Sequence, residues 1–345
     1  MNEKMSERRV ALVTGANGQD ASYMCELLLS KGYEVHGTIR RSSVITTERI
    51  DHIFDKIKLH YIEISDAMSV YNVINRVRPT EIYNFCAMSH VQISSEMESY
   101  TFQTNTMGIL HILQSVKALH LDAKVYQAST SEEFGNETDG RTLLNEESTK
   151  LPVSPYGVSK LAAEHICRMY RDAFNMYIVS STLFNHEGPR RGHNFVTQKI
   201  ANHVGKYVHN MDVPPLQLGN LSARRDWGSA KEYVECIYTM MHQSKPDNYV
   251  IATGETHSVR EFVELAFKEI GVDVKWQGAG VDEIGVEAHT GETLVKVNPK
   301  YYRDIDIECL IGDYSKAKRT FGWEPKMTFP ELVSEMVQAA IVRNK

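Results

Sequence analysis

Tyr156 and Lys160 stand four residues apart in the run Tyr-Gly-Val-Ser-Lys, with Thr130 and Glu132 upstream of them. On a helix that spacing puts a phenol and an ammonium on one face, where the cation can lower the phenol's pKa and a nearby hydroxyl can share its proton. The arrangement suits removing a proton from an alcohol while the alcohol carbon gives up a hydride. By itself Tyr-x-x-x-Lys is a weak signal, because a buried tyrosine beside a snorkelling lysine satisfies it by chance. It gains meaning next to a dinucleotide site.

The amino-terminal segment supplies one. Residues 9–14 (Arg-Val-Ala-Leu-Val-Thr) read as a short buried strand, followed by Gly15-Ala16-Asn17-Gly18-Gln19-Asp20-Ala21 and an apolar-periodic helix over 23–29. A strand, a glycine turn and a helix in this order bring backbone N–H groups and a helix N-terminus to a pyrophosphate. The Gly-x-x-Gly-x-x-Ala spacing departs from Gly-x-Gly-x-x-Gly, so its place in the first βαβ unit carries more weight than the pattern. After the second strand, an NAD site sets an acid against the ribose 2′-hydroxyl, whereas an NADP site sets arginine against the 2′-phosphate. Residues 38–43 offer Arg40, Arg41, Ser42 and Ser43 and no acid, which points to NADP.

Strand signals at 34–39, 57–64, 81–85, 124–128 and 177–183 alternate with helix signals at 48–54, 68–77, 98–119 and 156–175. The expected fold is therefore α/β: a doubly wound parallel Rossmann sheet whose strand C-terminal ends converge on one crevice, lined by 84–90 and 128–133. Beyond Asn185, Pro189, Gly192, Pro214, Pro215 and Gly219 punctuate shorter elements, which predicts a smaller mixed α/β C-terminal lobe closing over the crevice. A strand at 248–252 and helices at 259–270 and 329–343 are expected there. The boundary is not a single cut: residues 1–186 are expected to form the cofactor domain, with returning segments near 228–256, and residues 187–345 mainly the substrate lobe.

Composition narrows the class. The 345 residues include 38 basic and 44 acidic side chains, a mildly acidic balance without the basic stripe that nucleic acid would favour. There is no apolar run of membrane length, and no secretory leader is expected in residues 1–10. Five scattered cysteines, without a Cys-x-x-Cys pair, predict free thiols in a reducing cytoplasm. Fourteen histidines show no His-Glu-x-x-His spacing, so no metal is expected.

With those residues in view, the chain resembles the extended short-chain dehydrogenases/reductases and, along nearly its whole length, the GDP-mannose 4,6-dehydratase family within them. The resemblance is carried by Thr14-Gly15 through Gln19-Asp20, Arg40-Arg41-Ser42-Ser43, Ala128-Ser129-Thr130-Ser131-Glu132, Phe184-Asn185-His186-Glu187, Pro189-Arg190-Arg191-Gly192 and Asn194-Phe195-Val196-Thr197. Leu218-Gly219-Asn220-Leu221, Arg225-Asp226-Trp227-Gly228 and the run from Ala252 to Glu264 extend it.

The resemblance implies a lyase that removes water from GDP-mannose to give GDP-4-keto-6-deoxymannose by internal hydride transfer through bound NADP. Tyr156 would take the C4 hydroxyl proton, Thr130 would hydrogen-bond the C4 oxygen, Glu132 would remove the C5 proton, and Lys160 would hold the nicotinamide ribose and depress the tyrosine pKa. Ser131 or Ser89, by proximity to these residues and apart from the resemblance, would assist the leaving hydroxyl. Glu63 and Ile64 match family positions near the adenine; Phe85, Ala87, Ser89, Tyr100, His186 and Arg191 match positions along the cofactor. Asn185, Asn194, Lys199, Arg225 and Arg303 match diphosphate and guanine contacts, and charge-assisted bonds suit phosphate. Arg190 and Arg191 resemble a loop that reaches a neighbouring subunit's cofactor, which implies a homo-oligomer, a dimer or a tetramer.

Some positions depart from the family. Ala21 and Cys86 replace glycines, Met88 a glutamine, Glu63 an aspartate and Gly188 a serine; Ser159 stands where alanine is common, and Glu133, expected to be solvated or salt-bridged, stands where the family is usually apolar. Cofactor retention or the sugar could differ accordingly. The remaining readings are a dehydratase of another GDP-sugar such as a heptose, a nucleotide-sugar 4-epimerase or reductase, and a non-catalytic NADP sensor. An epimerase or reductase would not need a base at Glu132, and a sensor would be free to lose Tyr156 or Lys160.

Overall fold

The computed structural model describes residues 9–44, 46–136, 142–209, 213–301 and 309–345. The chain opens with β1 (Val10–Thr14), buried at every position, and α1 (Gln19–Ser30). It continues through β2 (Glu34–Ile39), β3 (Lys58–Tyr61), α2 (Ala67–Val77), β4 (Glu81–Asn84), α3 (Val91–Glu96), α4 (Glu98–Phe102) and α5 (Gly108–Ala118). Next come β5 (Lys124–Ala128), α6 (Pro155–Phe174), β6 (Ile178–Leu183), β7 (Asn185–Glu187), α7 (Val196–His209), β8 (Leu216–Leu218), β9 (Arg224–Arg225) and β10 (Trp227–Ser229). The remainder is α8 (Ala230–Met241), β11 (Asn248–Ile251), β12 (His257–Ser258), α9 (Val259–Lys268), β13 (Val274–Gln277), β14 (Ile284–Glu287), β15 (Thr293–Val297), β16 (Cys309–Leu310), α10 (Ser315–Phe321) and α11 (Phe329–Arg343).

Seven parallel strands form the main sheet in the order β11-β6-β5-β4-β1-β2-β3. Parallel strands bury both faces, which is why they read as near-continuous apolar runs. One face packs Met24 and Leu28 of α1 against Met240 and Met241 of α8; the other packs Val70 and Ile74 of α2 with Ile112 and Val116 of α5. Each such side chain contributes roughly 1.5–3 kcal/mol when fully buried. The strand order reverses between β1 and β4, and a crevice opens beyond their C-terminal ends, as the doubly wound rule requires.

Two expected helices take other forms. Residues 48–54 were expected to be α-helical; a 3-10 helix forms instead over Asp51–Lys56. Ile50, which precedes it, and Ile53 within it are buried, and a three-residue repeat fits a 3-10 turn. The expected helix over 98–119 is interrupted by a π-helical turn, Gln103–Met107. Its widened backbone turns the buried Asn105 toward the chain that follows β4, and the interruption is where a side-chain network takes hold.

The second lobe has its own core. α7 packs along α11 closely enough that a Cβ on Gly205 would lie 2.7 Å from the Ala340 carbonyl. β8 extends the antiparallel β13-β14-β15 sheet as a parallel edge, and Trp227 stacks on Phe329 with ring centroids 5.8 Å apart. β7 pairs with β10, while α8 and β11 rejoin the main sheet. The chain crosses back once more than the sequence reading foresaw: Ala317 and Phe321 of α10, with Trp323, pack into the main core. Asp226 ties these passages together, accepting hydrogen bonds from Thr253 N at 2.8 Å, Thr253 Oγ1 at 2.7 Å, Gly254 N at 3.0 Å and Gly312 N at 3.2 Å.

Candidate active site

The crevice measures about 1020 Å³ and runs from the glycine turn after β1, past the ends of β4, β5 and β6, into the second lobe. That is space for two nucleotide-sized molecules rather than one small ligand. Gly15 lies at φ +68°, a conformation that favours glycine, and the Gly18 N–H donates to its carbonyl at 2.7 Å. Gly18 caps α1 with no side-chain bond, so the helix N-terminus is open toward the crevice.

Thr130 precedes a 3-10 turn, Ser131–Glu133, that follows β5, and Tyr156 and Lys160 lie in the first two turns of α6. Gly157 lets these elements meet: a Cβ there would sit 2.7 Å from the Glu132 carbonyl oxygen. The Tyr156 phenol hydrogen-bonds Thr130, and its backbone N–H donates to Ser94 Oγ at 3.2 Å. Burial raises the phenol's pKa; Thr130's bond and the Arg191 charge pull it down, while Glu132 pushes it further up. The principal downward pull therefore comes from Thr130 and Arg191, and not from Lys160 as the spacing alone had suggested. Lys160 Nζ donates instead to the Ala128 carbonyl at 2.9 Å, and burial brings its pKa down to about 8.

Ala128 O is the end of a buried polar chain that crosses three strands. Cys86 N donates to Thr14 Oγ1 at 3.1 Å, and Thr14 Oγ1 to Asn84 Oδ1 at 2.6 Å. Asn84 Nδ2 donates to Gln127 Oε1 at 2.7 Å, and Gln127 Nε2 to Ala128 O at 2.8 Å. A second clamp lay beyond sequence reasoning. Asn105 holds both sides of Met88, accepting from its N–H at 2.8 Å and donating to its carbonyl at 3.0 Å and to Ser159 Oγ at 2.9 Å. A buried asparagine inside an apolar helical pattern was the available signal.

His186 and Asp20 form a pair at 2.9 Å. Burial disfavours charge on each, yet their mutual attraction wins: the imidazole is held above its ordinary value and the carboxyl below. Both ring nitrogens face acceptors, Asp20 at Nε2 and the Phe184 carbonyl at Nδ1, which favours the imidazolium.

Most of the residues singled out from the sequence line this one crevice. They are Gly15, Asn17, Gly18, Gln19, Asp20, Arg40, Ser42, Glu63, Ile64, Phe85, Ala87, Ser89 and Tyr100 at one end and Thr130, Glu132, Tyr156 and Lys160 at the centre. Asn185, His186, Arg191, Asn194, Lys199 and Arg225 line the rest. Arg41 and Ser43 do not line it; the Arg41 guanidinium turns to the Ser42 carbonyl at the exposed rim. Arg303 lies outside the described residues. Arg40 donates to Tyr100 Oη at 2.6 Å, bridging the rim. Arg191 stays over the ring of Phe195, 3.8 Å from its centroid, within its own crevice. Glu133 is salt-bridged but not solvated, being 0% exposed.

A nicotinamide dinucleotide suits these walls. Gln19 Oε1, Thr38 Oγ1 and Thr104 Oγ1 are buried with no hydrogen-bond partner, and their residues line the crevice. An orphaned buried acceptor costs about 1–3 kcal/mol, so three along one groove fit a polar occupant. Arg191 Nε is ion-paired with Glu187 Oε2 at 3.1 Å but makes no hydrogen bond.

Known proteins place the chain further. A Drosophila melanogaster GDP-mannose 4,6 dehydratase is 48% identical over 346 residues, covering 97% of this chain and 87% of that protein. The Homo sapiens GDP-mannose 4,6 dehydratase is 46% identical, with 97% and 92% covered, and a Vibrio cholerae GDP-mannose 4,6-dehydratase is 41% identical, with 96% and 93% covered. Among solved structures, a Thermus thermophilus UDP-glucose 4-epimerase in complex with NAD superposes with a TM-score of 0.81 at 24% identity, covering 96% of this chain and 98% of that one. A Bacillus anthracis dTDP-glucose 4,6-dehydratase does so with a TM-score of 0.79 at 21% identity, with 96% of each covered. These two share the fold. The GDP-mannose 4,6 dehydratase family profile matches residues 12–336, so with relatives this similar along almost the full length the chain belongs to the GDP-mannose 4,6-dehydratase family.

Proposed function

We propose that the protein removes water from GDP-mannose to give GDP-4-keto-6-deoxymannose, with Thr130, Glu132, Tyr156 and Lys160 as its catalytic residues and NADP as its cofactor. The observation that carries the assignment of residues is the convergence of these four side chains at the centre of one crevice, in a chain of this family. When bound, the nicotinamide would supply a reversible hydride acceptor for oxidation at sugar C4 and reduction at C6.

The chain's own groups manage the protons. Tyr156, as a phenolate that Thr130 and Arg191 stabilise against the opposing effect of burial, accepts the C4 hydroxyl proton, so that the C4 oxygen becomes a ketone and the C5 hydrogen becomes acidic. Glu132 removes that C5 proton. The C6 hydroxyl then leaves with a proton as water, Ser131 or Ser89 assisting, and C5 regains a proton as C6 is reduced. One water is lost and no net reduction occurs. An epimerase or reductase would share the sheet and the Tyr156/Lys160 pair but has no step that needs Glu132.

Gly15, Asn17, Gly18, Gln19 and Asp20 would hold the pyrophosphate end, Glu63 and Ile64 the adenine, and Phe85, Ala87, Ser89, Tyr100, His186 and Arg191 the length of the cofactor. Arg40 and Ser42, at the end of β2, would take the 2′-phosphate; Arg41 and Ser43 would need a rim movement to join them. Ser89, Asn185, Asn194, Lys199 and Arg225 would hold the GDP-sugar, with Arg303 a further candidate. Residues 1–186 with the segments near 228–256 would then be the cofactor half, and 187–345 mainly the nucleotide-sugar half. A cytoplasmic homo-oligomer completes the reading: Cys25, Cys86, Cys167 and Cys236 are free thiols, no helix among the described residues is long and apolar enough to cross a membrane, and the Arg190–Arg191 loop resembles one that reaches a neighbouring subunit. Incubation with GDP-mannose should yield a product lighter by one water without net consumption of dinucleotide. An unchanged mass, or simple oxidation, would reject dehydration.

A further inference from the structure

Glu132 and Glu133 are neighbours with opposite surroundings. Glu132 lines the crevice, whereas Glu133 turns into the space behind the catalytic turn, among α6, β6 and the loop that precedes α6. Ser129 Oγ donates to Glu133 in a short hydrogen bond. Lys150 Nζ donates to Glu133 Oε2 at 2.8 Å and to Glu164 Oε1 at 2.6 Å, and it reaches Thr182 Oγ1 at 3.4 Å. Glu164 stands one helical turn beyond Lys160, so Tyr156, Lys160 and Glu164 share one face of α6. The cluster is thus continuous with the catalytic pair on the helix side and with the catalytic turn on the other.

Two carboxyl groups and one ammonium are an expensive filling for such a space, since apolar residues of the same volume usually serve stability as well or better. We propose that Glu133 is a positioning residue for the Tyr156–Lys160 pair: with Lys150 and Glu164 it anchors Ser129, and through the adjoining peptide the Ala128 oxygen on which Lys160 rests. The idea rests on the assignment of Tyr156 and Lys160 above. Its residue acts on the reacting atoms only through that pair.

The electrostatics add a signature. Glu133 is faced by Lys150 from the preceding loop and by Tyr156, Lys160, Glu164 and Cys167 from α6. Burial, with Glu164 beside it, pushes the Glu133 carboxyl up to about 8. Once anionic, Glu133 is the foremost group opposing the loss of the Lys160 proton that burial promotes. The sign follows: replacing the carboxyl by an amide removes that support, so Lys160 loses its proton at lower pH.

The test compares Glu133→Leu, Glu133→Gln and, as a control, Tyr156→Phe in the full-length, cofactor-loaded enzyme, reading kcat, KM for GDP-mannose and the pH profile. Glu133→Leu should lower kcat by about tenfold or more with KM little changed, because the turn loses its anchor and the pair its geometry. Glu133→Gln keeps an acceptor for Ser129 and should recover most of that loss, while its alkaline limb moves to lower pH by about half a unit. Wild-type kcat and an unmoved alkaline limb in these variants, or a loss confined to KM, would overturn the proposal. If Glu133→Leu does not fold, the alkaline limb of Glu133→Gln decides alone. An active Tyr156→Phe would instead show that the catalytic pair itself is misassigned.

Discussion

At the end formed by β1, β2 and β4 the crevice presents backbone and strand termini, while at its far end it presents long cationic side chains already bonded to their own lobe. Gly15, Gly18 and the open start of α1 are set by a core packed on both faces of the sheet, and Gln19 Oε1 and Thr38 Oγ1 wait without partners. Lys199, by contrast, donates to the Gln217 carbonyl at 2.7 Å and lies 3.9 Å from the Tyr301 ring, and Arg225 donates to the Arg224 carbonyl at 2.8 Å. A ligand at the first end meets groups that are organised before it arrives. At the second it must displace bonds that already exist, so each contact there returns less net free energy.

The sharpest probes lie where the two ends meet. Tyr156→Phe removes the group that both oxidation and elimination depend on, and turnover of GDP-mannose should fall by about 10³-fold or more. Glu132→Gln should cost about 10²–10³-fold in overall turnover and yet leave reversible oxidation at C4, visible as reduced nicotinamide absorbance on mixing enzyme with substrate. Near-normal turnover in that variant would mean that the base has been assigned to the wrong residue.

The comparison of the ends is then tested by one cation from each. Arg40→Ala should weaken NADP by about 10–100-fold and NAD hardly at all, since a charge-assisted 2′-phosphate contact contributes roughly 1.5–3 kcal/mol. Equal weakening of both dinucleotides in equilibrium titrations would show that Arg40 does not read the 2′ position. Lys199→Ala should raise KM for GDP-mannose by only about three- to tenfold, because the lysine gives up a carbonyl bond to make the new one, whereas the Arg40 guanidinium, with five N–H groups, can keep its bond to Tyr100 while it meets a phosphate. A loss as large as that for Arg40 would erase the distinction between the two ends. The smallest effect is expected from restoring glycine at Ala21 and Cys86 together, which should increase the fraction of dinucleotide that copurifies. Full occupancy in the unaltered protein, measured by absorbance after denaturation, would remove the reason to expect it.

Legibility differed between these regions for a physical reason. The strand-glycine-helix start and the Tyr156/Lys160 spacing are local patterns, and local patterns survive in sequence because backbone geometry enforces them within a few residues. The helix expected over 98–119 has the right periodicity but hides a π-helical turn; Asn105 stands out there as a polar residue in an apolar pattern, yet its type does not say that Met88 and Ser159 are its partners. Arg40 and Arg41 look equivalent in sequence; only the first lines the crevice, since successive residues leaving a strand point in different directions. Glu133 could be solvated or paired on sequence grounds, and burial behind the turn decided for pairing.

Residue types and short spacings alone determined an α/β chain with a glycine turn for a dinucleotide, an arginine-bearing exit from the second strand, and a tyrosine and lysine one helical turn apart. Those features depend on neighbours in the chain. Tertiary structure alone decided what Lys160 touches, which of two adjacent glutamates faces the crevice, and that α10 packs back into the main core after the chain has left it. Each of these depends on residues brought together from distant parts of the chain, where packing and the pairing of buried polar groups outweigh local preference.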